Sequence, residues 1–209
     1  MKVEKINVMN IDGALRGMRN PMNSWDNSDS YVNKNGMFVI GDTDLVLATK
    51  LIKAGGEHRK FMRQIFVTMD ITAPLYWWKE FDTYKVGTVA NSTSTMHKIH
   101  SKPIEISDFE VDDMDEFELD GMFKTINICE FYRKTYIDTK DKKWWKALIR
   151  LLPESYLQTR TVTMNFENLL NIVRQRTGHK LTEWHTFIDR MRESVTYADK
   201  LIFPFVGDK

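Results

Sequence analysis

The sequence predicts an α+β fold, and three observations support it. Residues 1–8, 65–72 and 157–164 each carry strand-like alternation of apolar and polar side chains. Between and beyond them lie several segments whose apolar residues recur at helical spacing. No internal repeat and no strand–helix–strand alternation runs through the chain. With 209 residues, of which 42% are hydrophobic and 12% aromatic, the chain is long enough to bury a real core. The expected organisation is one domain over residues 1–209, interrupted by an acidic surface insertion at about 101–120.

Each element has a local reason. Residues 1–8 form a first strand, and the Gly/Asn/Ser/Asp-rich residues 20–36 read as a long loop. A short strand is expected at 37–40. Asp42-Thr43-Asp44 can cap a helix with Leu45, Ala48, Leu51 and Ile52 on its apolar face, ending at Gly55-Gly56. Ile65, Val67, Met69 and Ile71 share one face of the next strand, and Pro74 suits the first turn of the helix LYWWKEFDTYK. Residues 86–98, VGTVANSTSTMHK, read as polar and flexible.

From Asp108 to Asp120 there are eight carboxylates in thirteen residues, a block expected to stay solvated and self-repelling rather than to hold a cation. A helix follows over 122–136, with Phe123, Ile126, Phe131 and Tyr132 among its buried positions, and another over 143–152. After the strand at 157–164, Asn165 opens a helix whose stripe is Phe166, Leu169, Leu170 and Val173, closed by Gly178. The last helix, 181–192, turns Leu181, Trp184, Phe187, Ile188 and Met191 inward.

Composition narrows the function. Lys and Arg number 30 against 29 Asp and Glu, for a net charge of +1, so the basic footprint of a nucleic-acid polymer binder is missing. The one cysteine, Cys129, sits between apolar neighbours in a helix, reads as inert packing, and suits a reducing cytoplasm. No apolar run reaches membrane-spanning length and the N-terminus has no signal-peptide core, so a soluble cytoplasmic protein is expected. His97 and His100 could share a helical face but have no third ligand nearby, and no metal site is expected. Phosphate-loop, dinucleotide-glycine and Ser/His/Asp patterns are missing too.

The chemistry concentrates in LPESYLQTRTVTMNFENLLNIVRQRTGHKLTE. Asn165 lies twelve residues after Pro153, Asn171 six further on, and Arg176 five beyond that. Two carboxamides and a guanidinium are groups suited to holding a planar, hydrogen-bonding ligand and its charge. Each also has a plainer reading. Asn165 is a good helix cap, Asn171 could make a structural hydrogen bond, and Arg176 suits the last turn of a helix.

That spacing resembles the C-terminal signature of flavin-dependent thymidylate synthases, the ThyX family. A second family signature, Arg-His-Arg-x-x-Ser-x-Asn-Glu-x-Ser-x-Arg-Tyr, is degenerate here. Counted from Pro74, its first three positions fall on Thr83, Tyr84 and Lys85; after one extra residue, Asn91 and Ser94 match, Ser92 replaces the glutamate, and Met96-His97 replace Arg-Tyr. Taken alone, NSTST also reads as a polar surface turn. Arg150 stands three residues before Pro153, one closer than the family's nucleotide-gripping arginine. Arg63 stands near where the family has a flavin-covering histidine, since His58 lies too far upstream. His179 and Glu183 keep the four-residue spacing of the family's closing segment.

The resemblance covers roughly residues 57–192 and implies a central antiparallel sheet flanked by helices, assembled as a homotetramer. It implies FAD as cofactor, held by Asn165, Asn171, Lys85, Tyr84 and Asn91. A deoxyuridine nucleotide would be met by Arg176, Ser94 and Arg150, with Arg176 and Ser94 in the catalytic role. Methylenetetrahydrofolate and NADPH are the candidate co-substrates, and the reaction is reductive methylation at C5 of the pyrimidine. The lost arginines point to a divergent member, because charge-assisted hydrogen bonds are worth about 1.5–3 kcal/mol each. Lys79, Arg160, Arg150 or Arg174 could supply replacement charge. The pairs Trp77-Trp78 and Trp144-Trp145, with Tyr76 and Tyr84, could stack on a ligand or simply fill the core. The alternative function is a non-catalytic nucleotide-binding or assembly protein on the same fold.

Overall fold

Val67 and Met69 lie fully buried while their neighbours Thr68 and Asp70 stay partly open, so the alternation seen in the sequence builds strand β4 (Phe66–Pro74). The computed structural model describes residues 1–207. Its main sheet adds β1 (Lys2–Met9), β5 (Thr88–Ser92) and β6 (Leu157–Asn165), in the order β1-β4-β6-β5. A second, two-stranded sheet pairs β2 (Tyr31–Val32) with β3 (Phe38–Val39), antiparallel, through Tyr31–Val39 and Val32–Phe38.

The helices are α1 (Ile11–Met18), α2 (Asp42–Lys53), α3 (Leu75–Phe81), α4 (Glu116–Thr139), α5 (Lys142–Leu151), α6 (Phe166–Arg176), α7 (Thr182–Ser194) and α8 (Ala198–Leu201). The fold is thus α+β, an antiparallel sheet flanked by helices. By its internal contacts the chain divides into two units. Residues 1–2, 71–83 and 91–160 form the first; residues 3–70, 84–90 and 161–209 form the second.

In the second unit, Asp70 accepts from Thr161 at 2.6 Å and Thr163 donates to Thr68 at 3.0 Å, which fixes an antiparallel β4–β6 register. The core combines Phe166, Leu169, Leu170 and Val173 of α6 with Trp184, Phe187 and Met191 of α7, all fully buried as their spacing predicts. The reading of residues 20–36 as one long loop needs amending, since it contains two 3-10 turns and β2. Nor does Asp44 cap α2. Gly41 is the N-cap, and Asp29 accepts from the backbone N–H of Thr43 at 2.8 Å and Asp44 at 3.1 Å. Asp44 is instead fully buried, bound by Arg19 Nε at 2.6 Å, Ser28 Oγ at 2.6 Å and Ser30 Oγ at 2.5 Å.

The first unit holds Trp77 and Trp78 at 0% and 1% exposure, edge to face at 4.9 Å, with Phe81 stacked on Trp77 at 5.0 Å. Trp78 Nε1 donates to the Gln158 carbonyl at 3.0 Å. That pair is core. Trp145 Nε1 donates to the Met96 carbonyl at 2.9 Å, and Trp144 packs against Phe131 and Tyr132. A cluster of Ile99, Ile104, Phe109, Ile126, Cys129 and Leu148 forms the rest of the interior.

The acidic block folds more than expected. Asp115 accepts from Glu118 N at 2.8 Å while Glu118 accepts from Asp115 N at 3.1 Å, a capping box that starts α4 at Glu116 rather than at residue 122. Acidic groups at a helix N-terminus are favoured by its dipole, which offsets their mutual repulsion. Phe123 and Phe131, expected inside, are 50% and 56% exposed, because the inward stripe of α4 is Ile126, Cys129 and Arg133. Arg133 is paired there with Glu130 at 2.5 Å and 2.9 Å. Residues 88–92, expected to be flexible, form β5. No helix among the described residues is long and apolar enough to cross a membrane.

Candidate functional site

Asn165 ends β6 in extended geometry, φ −90° and ψ 164°, and caps α6 by accepting from Asn168 N at 2.8 Å. Its amide also presses on the preceding turn. A Cβ added at Gly87 would lie 2.4 Å from Asn165 Nδ2, and Gly87 has φ +73°, so only glycine fits there. Asn168 completes this junction by donating its Nδ2 to the Tyr84 carbonyl at 3.4 Å and to Thr88 Oγ1. The segment carrying Tyr84 and Lys85 is thereby tied to the N-terminal turn of α6.

At the other end of α6, Arg176 Nε donates to Tyr84 Oη at 2.8 Å, and Tyr84 Oη meets Gln175 Oε1 at 3.1 Å. The guanidinium lies 4.7 Å from the Trp184 ring centre and 5.5 Å from that of Tyr84. Its Nη1 is 3.1 Å from His179 Nε2. Arg176 is therefore a positioned cation and not one waving in solvent at a helix end. Asn171, half-buried on α6, makes no side-chain hydrogen bond among the described residues. The structural hydrogen bond allowed for it on sequence grounds is not formed. Lys85 is exposed beside Tyr84.

These second-unit residues come together: Asn165, Tyr84 and Arg176, joined by Asn168, Gln175, His179 and Trp184. Asn168 was missed from the sequence, although its three-residue offset from both Asn165 and Asn171 marks the same polar stripe. Glu167, also unforeseen, receives Arg59 Nε at 2.9 Å and Arg63 Nε. Burial opposes its ionisation, but the two guanidiniums outweigh that and hold its carboxyl below the usual range. Arg63 also donates to the Gly56 carbonyl at 3.2 Å. The cavity of 690 Å³ in this unit is lined by residues such as Ile6, Phe38 and Tyr197, and not by Asn165, Asn171 or Arg176.

In the first unit, Ser94 Oγ accepts from Met96 N at 3.2 Å and His97 N at 2.9 Å, so this hydroxyl closes a turn. Asn91 is exposed near the end of β5, and Arg150 is exposed in the last turn of α5. Three candidate replacement cations are already engaged. Arg160 pairs with Asp82 at 2.7 Å and covers Trp78 at 4.2 Å. Lys79 pairs with Glu154 at 2.7 Å, and in the second unit Arg174 donates twice to the Phe205 carbonyl, at 3.0 Å and 2.9 Å. Arg150 and Lys85 have no ion-pair partner among the described residues. No group of three or more His, Cys, Asp or Glu among the described residues could hold a metal.

No protein-family model matches the chain, and no curated protein matches it in sequence. Solved structures do match in fold. Thymidylate synthase X (ThyX) from Helicobacter pylori, with FAD and dUMP, aligns with a TM-score of 0.75 at 16% identity, covering 99% of this chain and 100% of that one. Another structure of the H. pylori enzyme, complexed with FAD and dUMP, gives 0.73 at 16% identity, covering 97% and 98%. The UMP/dUMP methylase PolB from Streptomyces cacaoi, bound with 5-Br dUMP, gives 0.63 at 13% identity, covering 98% and 94%. At these identities the likeness is one of architecture, and the chain has the fold of the flavin-dependent thymidylate synthases.

Proposed function

We propose that this protein binds a flavin and a pyrimidine deoxynucleotide and modifies C5 of the pyrimidine, as a divergent enzyme of the thymidylate synthase X type. The observation that carries this reading is the α6 helix. Asn165, Asn171 and Arg176 stand at the family's offsets, and Arg176 is held by Tyr84 and Trp184 in the same unit. The polar groups suit a flavin. Asn171 has an uncommitted amide on the same helix. A bound reduced flavin would supply hydride.

In this reading Asn165, Asn171, Tyr84 and Asn91 orient the flavin, while Lys85 faces a phosphate. Arg176 and Ser94 face the nucleotide, with Arg150 as a further cation. Arg176 stabilises negative charge on the pyrimidine as it is activated, a task suited to a guanidinium whose direction is already fixed. Methylenetetrahydrofolate is the proposed carbon donor and NADPH the proposed reductant, in a cytoplasmic homotetramer. One observation favours a second reading, non-catalytic nucleotide binding. Thr83 and Met96 occupy positions of two family arginines, and the candidate replacements Arg160, Lys79 and Arg174 are committed to structural bonds.

Absorption spectroscopy of the purified protein, with thermal shifts in FAD and dUMP, tests the proposal. A flavin spectrum and a raised melting temperature with both ligands are expected, as is a mass gain on dUMP incubated with methylenetetrahydrofolate and NADPH. Stabilisation by dUMP with no flavin uptake and no product would favour the second reading. A colourless protein stabilised by neither ligand rejects both.

A further inference from the structure

The turn that leads into β4 carries more positive charge than its own contacts use. Gly55 takes φ +101°, and its carbonyl accepts from His58 N and Arg59 N, both at 3.0 Å. Phe61 and Met62 are buried and pin residues 60–63, a short 3-10 helix, against the core. From this fixed turn Arg59 and Arg63 meet on one carboxylate, Glu167, in the first turn of α6. Arg59 Nε donates to Glu167 Oε1 at 2.9 Å, and Arg63 Nε donates to Glu167 Oε2.

Two guanidiniums on one carboxylate leave one positive charge over. Glu167 is the single acid in the α6 sequence. Glu57 is exposed and lies 4.0 Å from Lys60, and His58 is exposed too. The Arg59 side chain is 13% exposed, yet neither of its Nη groups has a hydrogen-bond partner among the described residues. Arg63 donates Nη2 to the Gly56 carbonyl at 3.2 Å and keeps Nη1 uncommitted. Largely covered donors of this kind are costly unless an acceptor completes them.

Glu167 and Asn171 are four residues apart, so they share a face of α6, about 5.4 Å from each other along its axis. The two arginines are thus anchored one turn from the uncommitted amide of Asn171, toward the end of α6 whose partial positive charge favours an anion. A ligand with a ring at Asn171 and a phosphate at the arginines needs a short chain between the two. FAD is built that way, with a ribityl chain joining its ring to a diphosphate. Guanidiniums meet phosphate oxygens two N–H groups at a time. The turn is ordered before any ligand arrives, so binding forfeits little conformational freedom.

We propose that Arg59 and Arg63, held by Glu167, bind the diphosphate of FAD and so take over from the arginines that Thr83 and Met96 replace. The inference rests on the flavin reading and names the residues that make FAD preferred to its phosphate-free analogue, riboflavin. Riboflavin and FAD are titrated into the full chain at low salt, with binding read from the change in flavin fluorescence. FAD is expected to bind the more tightly. Arg59→Gln and Arg63→Gln should each weaken FAD by about 10-fold or more and leave riboflavin unchanged. Each variant keeps the other arginine on Glu167, so melting curves by circular dichroism should stay close to wild type. Asn171→Leu, by contrast, should weaken riboflavin and FAD alike. Arginine variants that bind FAD as tightly as wild type overturn the inference and leave the flavin reading standing. Equal losses of riboflavin and FAD in those variants overturn it too, since the arginines would then act through the fold. A chain that takes up no flavin at any concentration overturns both.

Discussion

Replacing Asp44 by Asn tests how the N-terminal part of the second unit is held together. Asp44 is 0% exposed and Arg19 is 3% exposed, with Arg19 Nε donating to the carboxylate at 2.6 Å. The amide nearly preserves shape but leaves the guanidinium buried without its counter-charge, a change that costs about 3–5 kcal/mol. For a chain of this size each kcal/mol lowers the melting temperature by about 2–4 °C, so a fall of roughly 6–20 °C is expected. Burial opposes ionisation of Asp44, yet Ser28, Ser30 and Arg19 together outweigh it and hold the carboxyl below its usual value. Stability from the ionised form is therefore complete above the unfolded value, about 3.9, and is lost as pH falls through the lower folded value. Melting curves by circular dichroism should show a constant gap between wild type and Asp44→Asn from neutral pH down to mild acid, closing only in strong acid. The double variant Arg19→Met with Asp44→Leu should recover most of the loss, since no unpaired charge remains. A neutral-pH loss under about 1 kcal/mol, or a double variant no more stable than the single one, would refute the assignment of this ion pair as the anchor.

Asn171→Leu should abolish flavin retention with little change in melting temperature, because that amide has no hydrogen-bond partner among the described residues; unchanged flavin occupancy would remove Asn171 from the site. Asn168→Ala should cost about 1–3 kcal/mol of stability and weaken ligand binding, by releasing the Tyr84–Thr88 segment from α6; denaturant melts and flavin titration read the two effects, and unaltered binding would make Asn168 purely structural. Burial pushes the Cys129 thiol up to about 11, so at pH 7 roughly one molecule in ten thousand carries a thiolate. A thiol reagent should label it only on unfolding, and rapid labelling of the folded protein would contradict that.

The α6 helix was readable because cap and stripe agree. Asn165 precedes Phe166, Leu169, Leu170 and Val173, and each local preference points the same way. The helix α1 was not read, since Gly13 and Gly17 break its pattern and its N-cap, Asn10, sits in the left-handed region at φ 64°. Strand β5 was missed for a different reason. Its TVANS segment is exposed along most of its length, and such a strand gains its order by pairing with β6 rather than from its own side chains. In α4, hydrophobicity alone points Phe123 and Phe131 inward, while the buried stripe includes Arg133, whose partner Glu130 makes that burial tolerable.

Sequence alone determined the α+β class, the α6 stripe and the offsets of Asn165, Asn171 and Arg176, because these depend on period and spacing along the chain. Tertiary structure decided which polar groups are already spoken for. It committed Arg160, Lys79 and Arg174 to internal partners, seated Arg176 between Tyr84 and Trp184, and brought Asn168 to residues 84 and 88. A hydrogen bond depends on where two groups meet in space, and partners some eighty residues apart leave no periodic trace in the chain that carries them.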